Sequence, residues 1–344
     1  MGSKDGRALN WSIACAVLMR GIDRTSKKAP NPPRRRRGIA GVACTSRIFY
    51  IYTMQSLRVG TCSWKYPSWE GLVYSRASGI DYLAEYARKY TSVEIDQWFW
   101  SMPDPATASA YVSAVPAEFR FTVKAPNAIT LTHLRGRKGQ QDLATNPDFL
   151  SVELFREFLS RLQPMEGRIG MLMLQFEYLN KKKMESKDAF LSRLSGFFEA
   201  LEGLPSALWP CAIETRNPNY LDERYFEFLA SHGLAHVFLQ GYYMPQIVPL
   251  YERFGRLLRG SVVVRLHGTD RAGIEKLTGE RWDRIVAPRD EELASIAAML
   301  KDMTGRGLTV YLNVNNHYEG SAPLTIERLA AHGIVDSTGG ALRE

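Results

Sequence analysis

The sequence predicts a (β/α)8 barrel of the TIM type, built as a single domain behind a basic N-terminal extension that has no folding pattern of its own. Three observations carry this prediction. From Leu57 onward, eight short β-rich runs alternate with longer segments of helical period, the pattern of repeated βα units on a parallel sheet. The alternation occupies about 290 residues, near the size of such a barrel. The turn after the first run, Gly60-Thr-Cys-Ser-Trp-Lys, is not the G-x-G-x-x-G phosphate turn that an open doubly wound sheet carries.

Residues 1–53 come first in the chain and hold eleven Lys and Arg against only Asp5 and Asp23, a charge of +9. The other 291 residues sum to −1, so the overall +8 describes the extension and not the body. Lys27-Lys28, Pro32-Pro33 and the run Arg34 to Arg37 repel one another and show no hydrophobic periodicity, so this segment is expected to be disordered. The favoured reading is a misplaced translation start, with the barrel protein (54–344) beginning near Met54. A secretory signal fits poorly, because the apolar stretch from Trp11 to Met19 ends in Arg20 without a small-residue cleavage pattern. A nucleic-acid-binding arm rests on the arginine run alone.

The body has the composition of an ordinary globular protein, with 45% hydrophobic and 23% charged residues over the whole chain. No apolar run reaches the roughly 18–20 residues of a membrane span. Cys15, Cys44, Cys62 and Cys211 are too scattered for a disulfide framework or a zinc site, which points to a reducing cytoplasm.

Strands are predicted at 57–62, 91–96, 119–124, 169–176, 208–214, 234–240, 262–267 and 308–314. Helices are predicted at 80–90, 105–114, 149–163, 186–202, 222–232, 245–258, 289–304 and 322–332. The first helix shows the reasoning. Ile80, Leu83, Ala84, Tyr86 and Ala87 recur at three- and four-residue spacing, and Asp81, Glu85, Arg88 and Lys89 occupy the opposite face.

In a barrel of this kind ligands bind at the C-terminal ends of the strands, and reactive side chains gather there. They are Ser63 and Trp64 after the first strand, Glu94 and Asp96 at the second, Lys124 and then His133 at the third, and Gln175 at the fourth. Glu214 and Arg216 follow at the fifth, Arg265 and His267 at the seventh, and Asn313 and Asn315 at the eighth. Side chains two apart on a strand share a face, so Glu94 and Asp96 go together, as do Arg265 and His267. Charges buried inside a barrel must pair, and Glu94–Lys124 and Glu214–Arg265 are the candidate pairs. A purely structural ion network is the alternative reading of the same residues.

As a catalytic set, Lys124, Arg216 and Arg265 would hold the phosphate or carboxylate of a small anionic ligand. Glu94 or Glu214 would serve as general acid or base, and His267 would shuttle a proton near neutral pH. Ser63, Trp64, Asp96, His133, Gln175, Arg216, Asn313 and Asn315 would line the ligand. The reaction would be a hydrolysis or an isomerisation. No motif requires a cofactor, and both the P-loop and H-E-x-x-H are absent. A divalent metal on Glu94, Glu214, His267 and Asp96 is an alternative, opposed by the three neighbouring cations. A nucleic-acid-binding or sensing module is a further one, with Trp64, Trp98 and Trp100 stacking on bases, but the near-neutral body speaks against it. His232, His236 and His332 read as capping or packing residues, Cys62 and Cys211 as small apolar fillers, and Lys181 to Lys183 as a solvated run. Oligomeric state is left open.

Several motifs in order resemble the domain-of-unknown-function 72 family, also called YecE-like. They are R-V-G-T-C-S-W-K-Y at 58–66, W-E-G-L-V-Y at 69–74, V-E-I-D-Q-W-F-W at 93–100, P-A-E-F-R-F-T-V-K-A at 116–125 followed by Thr132-His133, G-M-L-M-L-Q-F at 170–176, A-I-E-T-R at 212–216, V-R-L-H-G at 264–268, and the asparagines of the eighth strand. The resemblance runs from about Leu57 to Ala331. It implies a TIM-type barrel and speaks to the site more than to the activity. The chain departs from the family where Asp96-Gln97-Trp98-Phe99-Trp100 replaces the usual N-S-T-F-Y, and at Glu177, where a proline is common.

Overall fold

The computed structural model describes residues 57–134, 144–201 and 209–334. Residues 1–53, read above as a disordered extension, lie outside them, as does residue 208 of the fifth predicted strand.

Eight strands form the barrel: β1 (Leu57–Thr61), β2 (Ser92–Ile95), β3 (Arg120–Lys124), β4 (Ile169–Gln175), β5 (Cys211–Glu214), β6 (Ala235–Gly241), β7 (Ser261–Gly268) and β8 (Thr309–Val314). All eight predicted strands are present. Around them, in chain order, run α1 (Tyr82–Tyr86), α2 (Pro105–Ser113), α3 (Asn127–Thr130), α4 (Val152–Arg161), α5 (Lys187–Glu199), α6 (Glu223–Ser231), α7 (Ile247–Phe254), α8 (Arg271–Thr278), α9 (Asp290–Gly305) and α10 (Ala322–Ala331). Each predicted helix has a counterpart. The additions are α3 and α8, both in loops that follow strands. Asp81, Asp104, Ser151, Ser186, Asp222 and Asp270 each accept a backbone N–H at a helix start, which is why these segments begin where they do. Among the described residues no helix is long and apolar enough to cross a membrane.

The strands are parallel and ordered β1-β8-β7-β6-β5-β4-β3-β2. The seam between β1 and β2 is stitched differently from the ladders. Thr91 N–H donates to the Val59 carbonyl at 3.2 Å, and Val59 N–H donates to Thr91 Oγ1 at 3.2 Å. The Tyr86 hydroxyl receives Thr61 N–H at 2.9 Å and donates to the Ser92 carbonyl at 3.1 Å. Gly60 permits this closure, since a Cβ there would fall 2.0 Å from Ser92 O. Gly60→Ala is therefore expected to destabilise the barrel by about 1–3 kcal/mol through overpacking against backbone, read as a lower urea midpoint.

Strand periodicity sorts the core into two. Outward residues such as Val93, Val123, Leu174, Ile213, Val264 and Leu312 pack with the helices in one large cluster. Inside the barrel, Met171, Met173, Ala212, Ala235, Val237, Val263 and Tyr311 form a separate apolar plug. Gly170 makes room for the Tyr311 ring, which would lie 2.4 Å from a Cβ at that position. The same inward register continued toward the strand ends brings Glu94, Lys124, Gln175, Glu214, Arg265 and Asn313 together above the plug.

Candidate functional site

The inward layer at the strand ends is charged and almost entirely buried. Arg265, Glu94, Glu214 and Asn313 are 0% exposed. Arg265 forks onto Glu94 through Nε (2.8 Å) and Nη2 (2.7 Å), and its Nη1 reaches Glu214 at 2.5 Å and Gln175 at 3.4 Å. Asn313 Nδ2 donates to Glu94 at 3.3 Å and to Thr122 Oγ1 at 2.9 Å. Lys124 Nζ lies 3.5 Å from Glu94 and contacts Asp96. Arg216 Nη2 sits 2.7 Å from Glu214 Oε1, a charge contact without hydrogen-bond alignment.

Followed in order, Arg216, Glu214, Arg265, Glu94, Lys124 and Asp96 make one chain of alternating sign across the barrel mouth. The interior members neutralise one another, which is the condition for keeping ions out of water. The ends behave differently. Asp96 is half-exposed, and Arg216 reaches solvent with 14% of its side chain while its Nε, buried, has no hydrogen-bond partner.

These partners set the protonation states. Burial alone would raise the Glu214 carboxyl, but Arg265, Arg216 and Lys124 outweigh it and hold it at about 2. Burial works against the charge of Arg265, yet Glu214 and Glu94 raise its pKa further above the usual value. For His267, burial and the charges of Arg265, Lys124 and Arg216 all act in one direction and push it well below the usual histidine range. Burial, with Glu94 nearby, pushes the Cys62 thiol well up.

These directions bear on two of the roles expected from sequence. The lowered Glu214 carboxyl favours the ionised form at neutral pH, which suits the base half of the expected acid-or-base role. His267 stays neutral through the physiological range, so it does not titrate near pH 7 as a proton shuttle. Its ring instead lies between Cys62 Sγ (3.4 Å from Nε2) and the Tyr242 hydroxyl (3.4 Å from Nδ1). The Glu94 oxygens are also fully engaged, so a ligand above the mouth meets the ends of the ion chain rather than its middle.

Beside the mouth opens a cleft of about 450 Å³, lined by Phe99, Trp100, Leu131, His133, Leu134, Gln175, Phe176, Glu177, Tyr178, Lys183, Arg216, Tyr242 and Tyr243. Gln175, Arg216 and His133 of the predicted ligand set line it. Lys183 pairs with Glu177 and so joins the wall, whereas Lys181 and Lys182 are exposed as expected. Tyr242 stacks over the Arg216 guanidinium, 4.6 Å from ring centroid to carbon. It is held there by a tight crossing of backbones. Tyr242 N–H donates to Gly268 O at 3.0 Å, a Cβ on Gly268 would lie 2.6 Å from His317 O, and Gly268 itself has φ +74°.

Ser63, Trp64 and Asn315 of the predicted ligand set do not line this cleft. Trp64 packs edge-on against Tyr111 at 5.1 Å, and its carbonyl accepts the Tyr74 hydroxyl. Trp98 is buried on the same Tyr111 ring, while Trp100 is 59% exposed in the cleft. Ser63 O accepts from Thr61 Oγ1 at 2.5 Å. Asn315 caps the turn after β8, its Oδ1 receiving His317 N–H at 3.0 Å. His232 and His332 cap the ends of α6 and α10, and His236 is buried among Tyr225, Phe226 and Phe238. Cys62, read as a filler, lies at the site beside His267. Tyr242, Lys183 and Tyr243 carried no sequence signal, since each depends on a loop path.

No group of three or more His, Cys, Asp or Glu side chains among the described residues is arranged to hold a metal ion. Glu94 and Glu214, the carboxylates such a site would need, are turned onto Arg265.

Fold and mouth together define a TIM-type barrel whose strand ends carry a neutralised, buried ion chain beside an open cleft. The chain belongs to the family described as "Protein of unknown function DUF72", matched over residues 58–336. It is 27% identical over 177 residues to the UPF0759 protein YecE of Escherichia coli K12, covering 51% of this chain and 54% of that protein. The chain thus spans about half the length of the curated relatives it matches. Among solved structures it is similar to a DUF72 family protein of Enterococcus faecalis V583, with TM-score 0.58 and 20% identity over 80% of this chain and 94% of that one. It is also similar to one of Thermotoga maritima MSB8, with TM-score 0.57 and 22% identity over 80% and 97%. At these identities the two structures speak for the fold alone.

Proposed function

We propose that this barrel is an enzyme acting on a small anionic ligand, bearing a phosphate or carboxylate, held at the C-terminal mouth. The observation that carries the reading is Arg216. It lines the cleft, is mostly buried, and keeps an Nε–H without a hydrogen-bond partner among the described residues. A guanidinium held under Tyr242 and against Glu214 is already oriented, so an oxyanion that meets its solvent-reaching edge gains a directed, charge-assisted hydrogen bond with little ordering cost. Gln175 adds a side-chain amide at the same floor.

Acid–base work falls to the other end of the ion chain. Asp96 is the carboxylate that solvent reaches, and the Lys124 ammonium in contact with it can stabilise negative charge developing on a substrate. Arg265, Glu94 and Glu214 fix both ends in place as positioning residues. The free thiols Cys62 and Cys211 accord with work in a reducing cytoplasm.

A thermal-shift screen of the full chain tests this reading with panels of phosphorylated, carboxylated and neutral metabolites. Anions are expected to raise the melting temperature, and Arg216→Lys is expected to weaken their binding about tenfold or more, because a point charge cannot replace a fork. Stabilisation by neutral metabolites alone, or equal binding by Arg216→Lys, would refute it.

A further inference from the structure

The large apolar side chains exposed on this protein are not scattered. Trp100, Leu134, Tyr178, Tyr243 and Leu277 are the exposed ones among the described residues, at 49–65% exposure. All but Leu277 line the cleft that holds Arg216. Isolated exposed apolar residues are ordinary, but a cluster of this kind at one concave site marks a surface kept for binding. Tyr178 and Tyr243 meet edge to face at 6.5 Å, and Trp100 stands edge to face on Phe99 at 5.0 Å, so the rim presents oriented rings. The volume of about 450 Å³ lies within the range of small-molecule sites, roughly 300–1,000 Å³.

We infer that the ligand is a ring-bearing anion, its phosphate or carboxylate on Arg216 and its ring against the aromatic rim of Trp100, Tyr178 and Tyr243. This rests on the anionic reading above and narrows it. A bare oxyanion would leave Tyr178 and Tyr243 exposed, whereas a ring bonded to the anionic group would cover them. Aromatic faces accept the C–H face of a sugar and the plane of a heterocyclic base alike, so the shared chemistry is a ring carrying an anionic group. Glu177 does not oppose the anion, because Lys183 neutralises it at the wall.

Calorimetric titration of the full chain separates the possibilities. The probes are glucose 6-phosphate and glucuronate as sugar-ring anions, AMP as a base-bearing anion, inorganic phosphate and acetate as ring-free anions, and glucose and adenosine as neutral rings. At least one ring-bearing anion is expected to bind about tenfold or more tightly than either ring-free anion, the size of one good stacking contact. Preference for glucose 6-phosphate and glucuronate over AMP, or the reverse, identifies the ring, and either supports the inference. Trp100→Ala and Tyr243→Ala are expected to remove most of that advantage while leaving phosphate affinity unchanged. Ring-free anions binding as tightly as ring-bearing ones, or rim variants without effect, would overturn the inference and leave the anionic reading standing. Neutral rings binding as well as their phosphates, or no binding by any anion, would overturn both.

Discussion

Arg265→Met is expected to destabilise the protein by about 3–5 kcal/mol, the cost of breaking a buried ion pair by removing one partner. The guanidinium serves two carboxylates at once, Glu94 by a fork at 2.7 and 2.8 Å and Glu214 at 2.5 Å, and all three residues are fully buried. Without it, Glu94 keeps Lys124 and Asn313, and Glu214 keeps only Arg216. Arg265→Lys is expected to recover little, since one ammonium cannot span both carboxylates. The triple variant Arg265→Met, Glu94→Gln, Glu214→Gln distinguishes charge from packing. It removes the two buried carboxylates that lose Arg265 with little change of shape, leaves Lys124 on Asp96 and Arg216 at the cleft, and is expected to regain part of the loss. Urea unfolding at pH 7 followed by circular dichroism measures all three proteins. A single Arg265→Met variant as stable as the parent would show that the ion chain contributes nothing to holding the mouth together.

The residues of this chain are readable from strand periodicity, but their partners are not. Glu94, Lys124, Glu214 and Arg265 stand at inward positions near strand ends, and a period of two suffices to place them there. That Arg265 forks onto Glu94, 171 residues away, depends on how eight strands close into a ring. The pairs expected from sequence, Glu94–Lys124 and Glu214–Arg265, both occur, yet the strongest contact joins the two pairs together.

Loop residues follow no strand period. Trp64 and Asn315 occupy the predicted ligand face in sequence, but the half-buried Trp64 packs edge-on against Tyr111 and a local turn engages Asn315. Tyr242 and Lys183 come to the cleft because the Gly241–Gly268 crossing and the turn after Glu177 bend the chain back, and neither bend leaves a hydrophobic pattern. The shifts of Glu214 and His267 likewise follow from three-dimensional neighbours, which residue type alone does not show.

Acid is expected to weaken the fold in two stages, and the sign follows from which state binds more protons. His236 is buried among aromatic rings, and burial depresses it from 6.5 to about 3; His267 is pushed well below its usual value too. Both are neutral in the folded protein while the unfolded chain takes up protons below about pH 6.5, so stability falls as pH drops through that value. By pH 4.5, His236 alone withdraws roughly 3 kcal/mol at about 1.4 kcal/mol per unit. Glu214, lowered from 4.5 to about 2, adds the second stage. The unfolded carboxyl protonates first, so its contribution is fully present above about pH 4.5 and is lost progressively toward pH 2, an effect on the order of 3 kcal/mol. Urea midpoints measured from pH 8 down to 4.5 read the upper stage. They are expected to hold steady above pH 7 and to drop below 6.5, and His236→Phe should flatten part of that slope by replacing the group that the unfolded state protonates with one that cannot titrate. A parent protein equally stable at pH 7 and 4.5 would mean that these histidines take up protons in the folded state as readily as in the unfolded one, and the burial of His236 would then not govern its charge.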